Sequence, residues 1–403
     1  MKLSAPPRTR KPDVATGEEA GSRILVVTVV HHPQDSRIWF RQIDALLAHG
    51  WKITFAAPFS GYGLPVPPDH DAQHGSGSLH CIDVPRSHGR RRIGAGLAAR
   101  RVIREQAPHH DLVLLHDPEL VLSAAGLGID HVVWDVHEDA AAAIHVKEWM
   151  PRALRPGVAQ LWRALERVAE RKYRLLLAES AYQVRFERTH PVVPNAVTVP
   201  STITERGWDR VIYLGSVTRA RGSLTMIEVG RELRRRTDGA MRLEVVGEAH
   251  DPLAATELHR AHQRGDLVWH GFLPSDEALK VVSGALAGLS LLEDQPNFRS
   301  SMPTKVIEYC AMGLPVITTP LPLAVDLVRR AEAGVVVPWH DPAAVVDALL
   351  MLRDHPARAQ SMAENGYREA RDHHDWRDGS IVFVALMELM AKDSGTVRAT
   401  RVK

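Results

Sequence analysis

Short apolar runs alternate with amphipathic helical patterns along this chain, in two sets that begin in the same way. Ile24–Val30 and Arg210–Ser216 are both apolar runs that lead directly into a polar turn. A run that is apolar on both faces is typical of a strand buried in a parallel sheet, where a helix returns the chain to the next strand. The pattern predicts an α/β protein of two doubly wound, Rossmann-like domains that face a cleft.

The length of 403 residues is too great for one ordinary core. We predict a disordered tail over residues 1–21, a first domain over 22–200 and a second domain over 201–375. Residues 376–403 are expected to form a helix that crosses back to the first domain, followed by a tail. The tail at the beginning lacks the apolar core of a signal peptide, and no later run has the length of a membrane span.

The composition narrows the range of partners and settings. Apolar residues make up 45% of the chain and the net charge is only +2, so no global field favours nucleic acid. The two cysteines, Cys81 and Cys310, lie in unrelated segments and indicate neither a disulfide framework nor a cysteine metal site. We therefore expect a cytoplasmic protein. The sequence does not indicate an oligomeric state.

The stretch from Asn297 to Thr319 has the pattern of a polar loop, a short helix, a glycine stop and an apolar strand. Free backbone N–H groups from Ser300 to Thr304 at the positive end of that helix suit a phosphate, and Lys305 adds a full charge. Glu308 follows one turn later, where a carboxylate can accept hydrogen bonds from two ribose hydroxyls. The plain alternative is a scaffold segment in which Lys305 and Glu308 form a solvated pair.

The order Pro-x-Lys-x-x-Glu-Tyr-x-Ala-x-Gly-x-Pro-Val-Ile in this stretch resembles the donor site of GT-B glycosyltransferases of family 4. The resemblance extends over about residues 22–392. That family usually has two glutamates eight positions apart, and Ser300 stands where the first would be. Because the first glutamate normally contacts the donor sugar, this departure affects sugar identity more than nucleotide binding. Ser300, Ser301, Met302 and Glu308 are thus implied donor-binding residues.

A second phosphate cradle is indicated where the strand from Arg210 ends. Gly215 allows a ligand to approach the backbone, and Arg219 and Arg221 follow in a loop before a helix. The family commonly has an Arg directly after the glycine, where this chain has Ser216. By resemblance we expect Arg221 to bind the diphosphate, with Arg219 as its substitute, alongside Gly215 and Ser216. The resemblance also implies that Phe272 and Leu273 contact the nucleobase.

Two strands of the first domain end in histidine and carboxylates, in Leu115-His116-Asp117-Pro118-Glu119 and Trp134-Asp135-Val136-His137-Glu138-Asp139. Such residues at strand ends are typical of the walls of a site, although each group could also cap the following helix. By resemblance, a histidine after the earlier strand approaches the donor sugar. His116 matches by position, and His137 is the second candidate.

The acceptor side is expected to lie in loops of the first domain. The loop after the first strand supplies His31, His32, Asp35 and Arg37, and the later strand end supplies His137 and Glu138. Residues 60–78 are expected to form a long loop, in which Asp69-x-Asp71 lacks the strand end that a metal-binding pair needs. The basic helix of residues 90–104 is interpreted as a solvated face, with peripheral contact to an anionic membrane or acceptor as the alternative.

The resemblance implies a glycosyltransferase that moves a sugar from a nucleoside diphosphate sugar to a hydroxyl acceptor with retention of configuration. The implied catalytic residues are His116, Arg221 and Lys305, without an obligatory metal or other cofactor. A glycan, a lipid-linked molecule and a natural product all remain open as acceptor. A nucleotide-sugar epimerase of similar fold and a non-catalytic nucleotide-sugar-binding protein are the alternatives.

Overall fold

The computed structural model describes residues 21–71, 77–145, 150–249 and 251–401. The expected tail at the beginning lies almost wholly outside these residues, as does part of the predicted loop over 60–78. The described part of that loop contains a feature that the sequence analysis missed. His70–Asp71 forms a short strand, β3, which pairs antiparallel with the strand that follows it.

The first domain contains a seven-stranded sheet in the order β3-β4-β2-β1-β5-β6-β7, parallel except for β3. Its strands are β1 (Arg23–Val27), β2 (Lys52–Ala57), β3, β4 (Ser78–Asp83), β5 (Leu112–Leu115), β6 (Val132–Val136) and β7 (Arg174–Leu177). Its helices are α1 (Asp44–Ala48, continued from a π-helical turn over Ile38–Ile43), α2 (Arg92–Gln106), α3 (Leu120–Ala124), α4 (Ala140–Ile144) and α5 (Arg155–Lys172). This is a doubly wound architecture, as the apolar strand pattern predicts.

The second domain contains a fully parallel six-stranded sheet in the order β10-β9-β8-β11-β12-β13. Its strands are β8 (Arg210–Leu214), β9 (Arg242–Val246), β10 (Val268–Gly271), β11 (Ala287–Ser290), β12 (Val316–Thr318) and β13 (Gly334–Val336). Its helices are α6 (Ser223–Arg236), α7 (Pro252–Gln263), α8 (Ser275–Val282), α9 (Pro296–Arg299), α10 (Thr304–Ala311), α11 (Pro322–Arg330), α12 (Pro342–Asp354) and α13 (Pro356–His373).

The last helix, α14 (Trp376–Arg401), packs on the first domain. Trp376, Phe383 and Met387 belong to the same buried cluster as Ile24 and Phe55 of the first sheet. Residues 187–209, which connect the two sheets, contain no helix or longer strand. Among the described residues, no helix combines the length and apolar character needed to cross a membrane.

Candidate functional site

Two adjoining cavities lie between the domains, at the carboxyl ends of the strands. The larger, here called the polar cavity, has a volume of about 520 Å³ and is lined by residues of both domains, including His137 and Lys305. The smaller, called the apolar cavity, has about 280 Å³ and is lined by Phe272 and Leu273 among others. Ser36, Leu214, Gly215 and Glu308 line both cavities. The two spaces therefore form one continuous groove.

Helix α10 positions the two residues on which the sequence analysis rests. Lys305 is only 5% exposed, and its Nζ donates a hydrogen bond to the Tyr213 hydroxyl at 3.1 Å. Burial, with a further contribution from Arg221, lowers the pKa of Lys305 well below its ordinary value. Glu308 lies one turn further along the same helix. Burial raises its pKa, and its Oε1 lies 4.0 Å from an Arg41 nitrogen of the first domain. Both predicted residues line the polar cavity.

The turn after β8 brings a second cation to the same point. Gly215 has a φ of 115°, a conformation that side chains rarely adopt, and a Cβ there would meet Lys305 Nζ at 3.5 Å. The Tyr213 hydroxyl donates to the Ser216 carbonyl at 2.7 Å and also bonds to the Arg221 side chain. Arg221, Gly215 and Ser216 all line the polar cavity. Tyr213 thus joins Lys305 and Arg221 at the cavity wall.

Arg219 does not share this position. Its Nε donates to Asp251 Oδ2 at 3.1 Å, and the residue is not part of the cavity wall. The expectation that Arg219 could substitute for Arg221 is therefore wrong in this structure, because an acidic neighbour holds its guanidinium elsewhere.

The loop before α10 differs from the predicted anion cradle in two respects. The Met302 amide donates to Glu179 Oε1 at 2.9 Å. One of the backbone N–H groups that were expected to bind a phosphate therefore already binds a carboxylate of the first domain. Burial raises the pKa of Glu179 to about 7. Ser301 and Met302 line the polar cavity, and Ser301 bonds to Tyr182, whereas Ser300 lies off the wall. The predicted donor contact of Ser300 is thus not supported by its placement.

The histidines near the polar cavity lie at two depths. His137 lines the polar cavity, and its Nε2 is 2.9 Å from Nε2 of His31. His116 lies behind His137, with ring centroids 5.8 Å apart, and is only 1% exposed. The prediction of His116 as the sugar-facing histidine is therefore corrected in favour of the second candidate, His137. The reason is that the side chain at the end of β5 faces Asp135 in the core, at 3.4 Å.

The His31–His137 pair has one favoured arrangement of charge. Burial and the neighbouring His31 lower the pKa of His137 to about 4. Burial disfavours the charged form of His31, but Asp117 and Asp35 outweigh this effect, and its pKa is raised. At neutral pH the cavity therefore presents a neutral imidazole at His137, supported from behind by His31.

The other acceptor-side predictions have mixed outcomes. Arg37 is wrong as a ligand-facing residue, because both its Nε and Nη2 donate to Asp135 at 2.8 Å and it is 6% exposed. Asp35 lines the polar cavity, but its Oδ1 already accepts the backbone amides of Arg37 and Ile38. Glu138 also lines that cavity. His32 lies with its ring 5.5 Å from that of Phe272 at the rim of the apolar cavity.

Comparison with known proteins identifies this arrangement. Residues 209–355 match the family model described as Glycosyl transferases group 1. This segment is therefore similar to group 1 glycosyltransferases. Among curated proteins, no sequence match is found. The matched segment spans β8 to α12 and so includes Gly215, Arg221, Lys305 and Glu308.

Solved structures confirm the GT-B fold over nearly the whole chain. Sucrose-phosphate synthase from Thermosynechococcus elongatus is 15% identical, with a TM-score of 0.71 over 92% of this chain and 99% of that chain. Trehalose 6-phosphate synthase from Burkholderia multivorans is 13% identical, with a TM-score of 0.65 over 93% and 99%. HepE from Anabaena, solved with UDP and glucose, is 13% identical, with a TM-score of 0.65 over 91% and 99%.

Three residues of the cleft were not predicted from the sequence. Glu179 follows β7 and could have been found by the same reasoning that selected His137, because it is a polar residue at a strand end. Arg41 lies one turn beyond Arg37 and lines the apolar cavity. Tyr213 sits inside an apolar strand, where only the fold reveals that its hydroxyl joins two cations.

Some of the cleft residues could hold a metal ion by distance alone. In the described part of the chain, His31, His137 and Glu138 each offer a ligand atom within 4.8 Å of the others, as do His116, Asp135 and His137. The His31–His137 hydrogen bond provides a sufficient reason for the first grouping. The expectation of a reaction without an obligatory metal stays a prediction.

Proposed function

We propose that this glycosyltransferase moves a sugar from a nucleoside diphosphate sugar to a hydroxyl acceptor, with retention of configuration. The observation that carries the proposal is the convergence of Lys305 and Arg221 on the Tyr213 hydroxyl, beside the open backbone at Gly215. Burial and Arg221 disfavour the charged form of Lys305, and a diphosphate placed there would offset both effects and form charge-assisted hydrogen bonds with both side chains.

The shared wall of the two cavities supports a single orientation for the donor. Phe272 is 54% exposed at the apolar cavity, where its ring offers a surface for a nucleobase. Glu308 lies at the junction, where a ribose would connect the base to the diphosphate. The sugar would then extend into the polar cavity toward His137 and Met302. The UDP and UDP-glucose found with HepE from Anabaena are consistent with this class of donor.

The inferred chemistry depends on the leaving group. When the bond between the sugar and the diphosphate breaks, negative charge develops on the diphosphate, and Lys305 and Arg221 are placed to stabilise it. A donor phosphate oxygen would take the acceptor proton as the acceptor oxygen bonds to the anomeric carbon on the same face. His137, neutral at neutral pH, would hydrogen-bond to a sugar hydroxyl rather than add charge. Proton NMR of the product, read at the anomeric coupling, tests retention.

We also propose that the protein is cytoplasmic. Both cysteines are buried and unpaired, which supports a reducing cytoplasm. The membrane-contact alternative for the basic helix is supported by two exposed apolar residues of α2, Ile93 at 78% and Leu97 at 63%. Binding of Ile93→Ser/Leu97→Ser to phosphatidylglycerol vesicles tests this contact, and that variant should bind more weakly than the unchanged protein.

Thermal stabilisation by a panel of nucleoside diphosphates and nucleotide sugars tests the proposed donor site. One nucleotide class should raise the Tm, because a ligand that binds only the folded state stabilises it. Glu308→Ala should remove most of that shift. Glu257→Ala should retain it, because Glu257 lies on α7, is paired with Arg260 and lines neither cavity. If no nucleotide shifts the Tm, or if Glu308→Ala responds as the unchanged protein does, the proposed donor site is wrong.

A further inference from the structure

A third cavity lies in the first domain, at the carboxyl ends of β2 and β4. Its volume is about 700 Å³, and it is lined by Arg86, Arg90, Arg91 and His88 with parts of the loops around Ser60 and Asp83. This arginine cavity is separate from the polar and apolar cavities, but it opens at the same edge of the first sheet as His31 and His137. Nothing in the donor chemistry proposed above uses it.

The charges around the arginine cavity are unbalanced. Within the described residues, no carboxylate forms an ion pair with Arg86, Arg90 or Arg91, whereas the next arginine, Arg92, lies 3.7 Å from Glu119. Asp83, a carboxylate on the wall, accepts the Ser60 amide at 3.0 Å. Arg90 and Arg91 form a turn directly before the fifteen-residue helix α2, whose N-terminus has no side-chain cap and adds positive potential.

Arg86 is half-buried and packs against an aromatic ring. Its guanidinium lies 3.7 Å above the centre of the Tyr62 ring, and the Tyr62 hydroxyl donates to the Val30 carbonyl at 2.7 Å. A Cβ at Gly61 would come within 2.6 Å of the Arg86 Cβ, so the two loops meet closely only because residue 61 is glycine. An arginine held in this way loses little conformational freedom when it binds an anion.

A row of rings connects the arginine cavity to the donor groove. Tyr62 packs edge-on against His32 at 4.7 Å between centroids, and His32 lies 5.5 Å from Phe272 of the apolar cavity. Arg86 is close enough to the groove to lower the pKa of His32, although burial is the larger cause. This row meets the groove at the apolar cavity, whereas His31, the chain neighbour of His32, lies 4.7 Å from His137 of the polar cavity between ring centroids. An acceptor bound by its phosphate at the arginine cavity would therefore extend along the first-domain loops past His31 to reach the sugar.

We propose that the arginine cavity binds a phosphate group of the acceptor. This inference rests on the proposed function, since it names the acceptor class of the same transfer. Arg86, Arg90 and Arg91 would contact the phosphate oxygens, for which the planar guanidinium fork is suited. The phosphate could belong to a soluble sugar phosphate or to a lipid-linked acceptor, because the contacting chemistry is the same in both cases.

Calorimetric titration with inorganic phosphate, with the donor site saturated by UDP, tests this site. We expect the Arg90→Gln/Arg91→Gln double variant to bind phosphate about tenfold more weakly, and Arg86→Gln to do likewise. The control is Arg101→Gln/Arg104→Gln, which removes the same charge from α2 outside the cavity; Arg101 is 74% exposed and paired with Glu105. Equal weakening in the control and the cavity variant would overturn the proposal, as would a lack of phosphate binding.

Two further arms of the experiment distinguish the sources of the phosphate. Binding of glucose 6-phosphate but not glucose indicates a soluble acceptor, and binding to vesicles of phosphatidylglycerol but not phosphatidylcholine indicates a lipid-linked one. In either arm the cavity variant must lose binding and the control must keep it. If UDP itself fails to bind, the proposed donor site falls, and the phosphate titration without UDP decides the arginine cavity separately with the same variants.

Discussion

Lys305 is almost completely buried, yet its ammonium bonds to a neutral phenol, that of Tyr213, rather than directly to a carboxylate. Desolvation and the nearby Arg221 both disfavour its charge, which is why its pKa is lowered. A bound diphosphate would reverse the balance, because an opposite charge within a few ångströms favours the protonated amine. The donor site is thus electrostatically incomplete without an anion.

Binding of a nucleoside diphosphate should therefore be accompanied by proton uptake at Lys305. Uptake occurs at a pH between the lowered pKa of the free protein and the higher pKa of the complex, so the affinity should fall as the pH rises through that window. Calorimetry of UDP binding in pairs of buffers of different ionisation enthalpy, repeated between about pH 8 and about pH 10, measures the uptake above the second pKa of a phosphate. Lys305→Met should abolish it, and equal uptake in that variant would contradict the assignment.

Substitutions at Lys305 and His137 should separate binding from turnover. Lys305→Ala is expected to weaken UDP affinity about tenfold or more and to lower kcat, because a charge-assisted contact is lost in both the ground and transition states. His137→Ala is expected to lower kcat with UDP affinity unchanged, because the imidazole faces the sugar position. Arg235→Gln, an exposed residue paired with Glu232, serves as the control. Equal loss of UDP affinity in the Lys305 and His137 variants would contradict this division.

The outcome for single residues depended on how firmly the local pattern fixes the side-chain direction. Lys305 and Glu308 were predictable because they lie one turn apart on a short helix whose position follows from the sequence motif. His116 was not, because the last residue of a strand can face the cleft or the core, and no spacing in the sequence decides which. Arg37 failed for a related reason, since its buried partner Asp135 lies 98 positions away.

At the level of elements, α10 is fixed to the second sheet by one aromatic residue. The Tyr309 hydroxyl accepts the Leu214 amide at 2.8 Å and donates to the Leu289 carbonyl at 3.1 Å, which links the helix to β8 and β11. Its ring lies against Gly288 of β11, where a Cβ would come within 2.2 Å of the ring. The helix that presents Lys305 and Glu308 therefore owes its closeness to the sheet to a glycine.

Gly288→Ala should destabilise the protein by about 1–3 kcal/mol, the usual cost of adding a methyl group to a filled core. The matched control is Gly94→Ala on α2, where a Cβ would meet nothing within 4 Å. That change should be neutral or stabilise by up to about 1 kcal/mol, because alanine is the better helix former. Urea unfolding measures both free energies. A Gly288→Ala variant as stable as the unchanged protein would show that α10 can move away from the sheet without cost.

The strands and helices themselves were largely predictable, because most strands are continuous apolar runs and most helices end at glycine, proline or a polar loop. The edge strand at His70–Asp71 was not, since a two-residue strand has no periodicity to detect. Its pairing with β4 depends on the partner strand rather than on its own sequence.

For the whole molecule, the two sets of strands in the sequence predicted two sheets but not the contacts between the domains. The Glu179 carboxylate of the first domain accepts the Met302 amide of the second at 2.9 Å, and Arg41 approaches Glu308 at 4.0 Å. Both contacts join residues far apart in the sequence, in segments that only the packing of the two domains brings together. No local pattern could therefore have indicated them.

The contact between Glu179 and Met302 should make the free energy of unfolding depend on pH. Burial raises the pKa of Glu179 from an ordinary 4.5 to about 7, against the opposing effects of the Met302 amide and Arg37. Because the folded state then holds the proton more tightly than the unfolded state, this residue's contribution to the free energy of unfolding should fall as the pH rises from about 4.5 to about 7.

Glu179→Gln isolates that contribution, since the amide oxygen can still accept the Met302 N–H but cannot ionise. Relative to the unchanged protein, the variant should therefore gain stability as the pH rises through this window and show a constant difference above it. Denaturant unfolding of both proteins between pH 4.5 and pH 8 measures the difference, in which the other titrating groups cancel. A difference that stays constant with pH would show that Glu179 is ionised throughout, and that the Met302 amide and Arg37 outweigh its burial.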